Sequence, residues 1–142
     1  MAYSFKEFKE DIKKREFQEK ARHYKRLIEV IEPYIDESKI KCFYPKNLFN
    51  GNEEKEFIFF LEKHFIFVKF QKEERYFVNC IPISKGEISL EIPEYKHQGV
   101  TLSFKSENKE LFTLNSAEDS NKNWNDEYIE SINEIYNFLL GI

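Results

Sequence analysis

The sequence predicts an α+β fold: a bent antiparallel sandwich, or partly open barrel, of about seven strands, with an amphipathic helix before it and a capping helix after it. Three observations predict it. Residues 56–83, EFIFFLEKHFIFVKFQKEERYFVNCIPI, are dense in Phe, Ile, Val and Tyr and are broken by Glu62-Lys63 and by Gln71-Lys72-Glu73-Glu74, the pattern of three consecutive strands. Between Gly86 and Leu114, apolar and polar residues alternate with period two, as in a sheet with one wet face. Both ends of the chain carry helical periodicity with start signals. The central stretch is apolar on both faces, so a second layer must cover the face that the sandwich does not.

In order along the chain, Ser4-Phe5-Lys6-Glu7 is a capping box, and Tyr3 and Phe8 occupy the positions of a hydrophobic staple. The spacing predicts a helix over residues 5–31, ended by Pro33. Its apolar residues form two stripes. Phe5, Phe8 and Ile12 share one face; Phe17, Ala21, Tyr24, Ile28 and Ile31 share another, with Arg15, Arg22 and Arg26 on the azimuth of the first. Either the helix breaks near Lys13-Lys14-Arg15-Glu16 and both stripes join one core, or a straight helix touches two surfaces, one of them a partner's.

Residues 39–44 read as a strand ended by Pro45, and residues 46–55, with Asn50-Gly51-Asn52, as a polar loop. The three central strands follow. Residues 87–92, 100–105 and, past a turn at Glu107-Asn108-Lys109, 111–114 complete the set. After a polar link at 116–123, Asn125 is placed to cap a final helix with Asp126 and Glu127 in its first turn. Tyr128, Ile132, Ile135 and Leu139 line one side of that helix, and Gly141 sits at its C′ position. The organisation is an N-terminal helical extension, residues 1–35, and a single folding unit, residues 36–142.

The apolar run FIFFLEKHFIFVKF resembles the second and third strands of bacterial pleckstrin-homology-like (PH-like) and GRAM-like domains. Cys80-Ile81-Pro82-Ile83, Glu87-Ile88-Ser89-Leu90-Glu91, Gly99-Val100-Thr101-Leu102-Ser103-Phe104 and Asn108-Lys109-Glu110 are similar to the segments that follow in that family. The resemblance covers roughly residues 38–141. It implies a PH-like bent sandwich with its C-terminal helix plugging one end. It does not extend to function. Glu62-Lys63-His64 lacks the family's Thr and Arg, and residues 46–55 lack the basic cluster that phosphoinositide-binding members carry.

Composition limits the functional classes. The 142 residues make one domain able to bury about two-thirds of its unfolded surface. Net charge is −4, where a nucleic-acid-binding domain carries a basic excess. The charge is uneven: residues 1–32 hold nine Lys and Arg against seven acids, and residues 117–142 hold one Lys against six. That basic head and acidic tail are suited to pair, within one molecule or between two. The N-terminus is charged from Lys6 onward, and no apolar run approaches the roughly 18 residues of a membrane span, so the expected location is cytoplasmic. Richness in Lys, Asn, Ile, Phe and Glu fits a bacterial source.

No chemistry is assembled in the sequence. His23, His64 and His97 are isolated, and Cys42 and Cys80 lie in strand patterns, so the four convergent ligands of a zinc site are missing. No G-x-S-x-G elbow occurs, no aspartate lies between Asp36 and Asp119, and the four glycines form no phosphate loop. Glu94-Tyr95-Lys96 has a nuclease-like spacing without its upstream aspartate. Phe65, Phe67, Lys69, Arg75 and Tyr76 are arranged as a base-stacking sheet would have them, but the charge balance opposes that use. The reading is a non-enzymatic module without cofactor, metal or small-molecule substrate, which binds a protein partner or itself. Its expected surface is Phe17, Tyr24, Ile28 and Ile31 on the helix with Phe65 and Phe67 on the sheet. The alternative is peripheral binding to an anionic membrane, using Lys13, Lys14, Arg15, Lys20, Arg22, Lys25 and Arg26; the interleaved acids weaken it.

Overall fold

In the computed structural model, which describes residues 2–51, 54–71 and 75–141, seven antiparallel strands form two sheets with helices at both ends of the chain. One sheet is ordered β1-β2-β3-β4: β1 (Cys42–Lys46), β2 (Glu56–Phe60), β3 (His64–Gln71) and β4 (Arg75–Pro82). The other is ordered β5-β6-β7: β5 (Glu87–Glu91), β6 (Thr101–Ser106) and β7 (Lys109–Asn115). The architecture is an α+β sandwich whose two sheets do not close into a barrel. Lys72, Glu73 and Glu74 of the expected turn, and Asn52 and Glu53 of the polar loop, lie outside the described residues.

The long N-terminal helix is broken. α1 (Phe5–Lys13) ends at a turn where Arg15 takes φ 58° and Gln18 φ 53°, and α2 (Ala21–Ile31) starts afresh after one 3₁₀ turn. Left-handed backbone costs a non-glycine residue roughly 1–2 kcal/mol. The bend repays it by letting both stripes reach one sheet while Arg15, Arg22 and Arg26 stay exposed. The N-cap half of the capping box forms, with the Ser4 hydroxyl accepting from the Glu7 N–H at 3.1 Å, while the Glu7 carboxylate accepts from the Ser4 hydroxyl at 3.3 Å. Tyr3 packs edge-on against Phe49 and Trp124 and donates its hydroxyl to Asp11 at 2.7 Å. The buried stripe of α2 is Ala21, Tyr24, Leu27 and Ile31; it adds the fully covered Leu27 to the expected set and leaves Ile28 half-exposed.

Strand alternation divides the first sheet's side chains between two cores. Phe43, Phe57, Phe59, Ile66 and Val68 face α1 and α2. Cys42, Tyr44, Ile58, Phe60, Phe65 and Phe67 face the second sheet and α3 (Asn125–Leu140). Pro45 lies inside β1, not beyond it, because an edge strand tolerates a missing N–H. The β6–β7 hairpin turns on Glu107 and Asn108, with φ 53° and 63°, the two positive angles of a type I′ turn. β7 therefore begins at Lys109, two residues earlier than expected.

Two predicted helix signals are used differently. Trp124 holds the N-cap position of α3 without a side-chain bond, while the buried Asn125 amide accepts from Ser116 at 2.6 Å and donates to the Lys96 carbonyl at 3.1 Å. Gly141 ends the helix with φ −82°, outside the left-handed region. Gly99 does need its glycine. Its φ is 86°, and a Cβ there would meet Asn115 Oδ1 at 2.4 Å. Gly99→Ala should therefore lower stability by roughly 1–2 kcal/mol in urea unfolding, because the left-handed backbone becomes strained; an unchanged midpoint would contradict this geometry.

Candidate functional site

The residues expected to form one interaction surface are distributed over three places. Tyr24 and Ile31 are 2% exposed and packed, with half-buried Phe17 and Ile28, against the helix-facing side of the first sheet. Phe65 and Phe67 point the other way, into the core between the sheets, at 0% and 8% exposure. The reason is parity: the side chains of β3 that meet the helices are Ile66 and Val68. The second face of the central strands is covered by this chain's own helices. Phe65 and Phe67 are equally closed to base stacking.

The surface that is left open is β4. Among the described residues its ladder neighbour is β3 alone, so no described strand lies beside its outer edge. Phe77 is 53% and Val78 37% exposed, on opposite faces, and the Cys80 thiol is also exposed. Edge strands are ordinarily protected by lysines, prolines or bulges. β4 has Arg75 at its start, Pro82 at its end and no charge between. Sequence reasoning grouped this strand with the core because of its apolar content. The available signal was Arg75 and Asn79 sharing the Phe77 face, which a buried strand would not place there.

A polar cleft of about 850 Å³ lies between the β1–β2 loop and the link into α3, lined by Lys46, Asn47, Asn50, Thr113, Asn115 and Asp119 among others. Asp119 Oδ2 accepts from the Tyr44 hydroxyl at 2.7 Å and from the Asn115 N–H at 2.9 Å, and Lys46 Nζ stands 3.9 Å from Oδ1. Burial raises the Asp119 carboxyl above its ordinary value, and Lys46 and the two donors oppose that rise. The Asp119 carbonyl also accepts from the Asn47 N–H at 2.8 Å. The arrangement ties the link to β1. Among the described residues, no histidine or cysteine lines this cleft. The Cys42 thiol is pushed up to about 12 by burial, which keeps it protonated and unreactive. Among the described residues, no three His, Cys, Asp or Glu are grouped to hold a metal ion, and no helix is long and apolar enough to cross a membrane.

A third cluster escaped the sequence reading. Trp124 stacks on Phe49 with ring centroids 3.9 Å apart and planes 5° apart, and Tyr3 closes on both. It joins the chain's start, the β1–β2 loop and the start of α3, positions too distant in sequence for periodicity to connect.

No curated protein and no solved structure matches this chain. A family model does match, over residues 4–130. The match starts at the N-cap of α1, crosses the boundary expected near residue 35, takes in both sheets and ends inside α3. With helices and sandwich both included, the chain belongs to the family described as "Protein of unknown function (DUF3908)".

Proposed function

We propose that this protein is a PH-like, non-catalytic module that self-associates through the free edge of β4. The exposed, uncharged middle of β4 is the observation that carries the reading. A strand of this kind satisfies its outer row of backbone groups by pairing with another strand. Antiparallel pairing with a second copy about a two-fold axis would continue the sheet across both molecules and cover Phe77 and Val78. No like charges would meet, since only Arg75 of β4 is charged. The PH-like assignment is supported by the order of seven strands in a four-plus-three arrangement followed by one helix packed on β1, β5 and β6.

Sedimentation equilibrium tests the reading. The wild-type chain should be dimeric, and Val78→Lys with Phe77→Lys should weaken the dimer at least about tenfold with an unchanged circular dichroism spectrum. A monomeric wild-type chain at about 100 μM would overturn it. The membrane reading rests on seven exposed bases between Lys13 and Arg26. Flotation with phosphatidylserine vesicles at low salt tests that one, and no co-flotation rules it out.

A further inference from the structure

A cleft of about 800 Å³ opens between α1 and α2. Its floor is apolar: Ile12 and Ala21, each 8% exposed, and half-exposed Ile28. Its rim is basic. Lys9, Lys13, Arg15, Arg22 and Lys25 line it against two acids, Glu19 and Glu29. Lys9 pairs with Glu37, whereas Lys13, Arg15, Arg22 and Lys25 make no ion pair with any described residue. The left-handed turn at Arg15 and Gln18 separates the two helices and places both residues on the cleft.

We infer that this cleft is a docking groove for an acidic amphipathic segment of another protein. Apolar anchors at i, i+3 and i+4 on a helical segment would meet the floor, and its flanking carboxylates would meet the rim. Charge complementarity selects the occupant's chemistry. The chain's own acidic helix does not fill the groove, because α3 is packed on β1, β5 and β6. A membrane is a poorer fit, since the apolar atoms are recessed where a bilayer needs them protruding. A nucleic acid is poorer too. No aromatic ring lines the cleft to stack a base, and Glu19 and Glu29 would repel phosphates. The inference is independent of β4 pairing.

The test uses a fluorescein-labelled synthetic helix of Leu at i, i+3, i+4 and i+7 with Glu elsewhere, titrated with the full chain by fluorescence polarisation. Saturable binding that weakens with added salt is expected. Arg22→Glu with Lys25→Glu should reduce it at least about tenfold while the unfolding midpoint stays unchanged, both residues being exposed. A peptide with Lys in place of Glu should not bind. The inference is overturned if the acidic peptide fails to bind, or if a scrambled peptide of the same composition binds equally well. It is also overturned if the double variant instead abolishes binding to phosphatidylserine vesicles or to single-stranded RNA and leaves peptide binding intact.

Discussion

Phe8→Ala should bring the protein close to unfolding at room temperature. The Phe8 ring is 1% exposed and sits among Phe17, Tyr24, Phe43 and Phe57, with centroids 5.3 to 5.8 Å away. Removing a buried phenyl costs about 3–5 kcal/mol through lost transfer energy and the cavity left behind. A domain of this size has only about 5–15 kcal/mol in total. The loss should read out as a lower urea midpoint with an unchanged slope. Deleting residues 1–32 should go further, exposing Phe43, Phe57, Phe59, Ile66 and Val68 together and giving an insoluble chain. If the deleted form stays soluble and Phe8→Ala costs under about 1 kcal/mol, the helices are not what covers this face.

Tyr44→Phe should cost about 1.5–3 kcal/mol near neutral pH, because it takes a donor from a buried carboxylate. Its pH dependence is the sharper observable. Burial raises the Asp119 carboxyl above its unfolded value, so the native protein holds that proton more tightly than the unfolded chain does. Stability therefore falls as pH rises through the interval between the two values. Losing the hydroxyl, which bonds the charged form, raises the native value further. The deficit of Tyr44→Phe should be full at about pH 7 and shrink toward about pH 4 as the carboxyl is protonated. A deficit that does not change with pH would show that Asp119 is not the group Tyr44 serves.

Much of the fold was legible because local rules carried it: the Ser4 cap, the alternation of β5 to β7, and the demand for a second cover over residues 56–83. Parity also divided the central strands into two sets of side chains. It did not say which set met the helices, and so Phe65 and Phe67 were assigned to the wrong face. The polar tie at Asp119 was invisible for a different reason. Its partner Tyr44 is 75 residues away, and an aspartate in a polar link carries no mark of burial. β4 was misjudged because apolar composition reports what a strand is fit to bury. Whether anything buries it depends on its place in the sheet. The α1–α2 groove was illegible until the bend at Arg15 turned one helix into two.

The two-sided sheet has a consequence for how this chain finds its pairing. In a sheet with one wet face, a slip of one residue sends the apolar set into water, which heavily penalises the error. Here β2 offers Phe57 and Phe59 to one side and Ile58 and Phe60 to the other, while β3 offers Ile66 and Val68, then Phe65 and Phe67. A slipped ladder would bury nearly the same rings. Discrimination passes to polar atoms at the ladder's ends: the Leu61 N–H on the His64 carbonyl at 2.9 Å, the Lys41 N–H on the Phe60 carbonyl at 2.7 Å, and the Tyr44 hydroxyl on Asp119. The rings make the protein stable, and these few hydrogen bonds choose which stable arrangement it is.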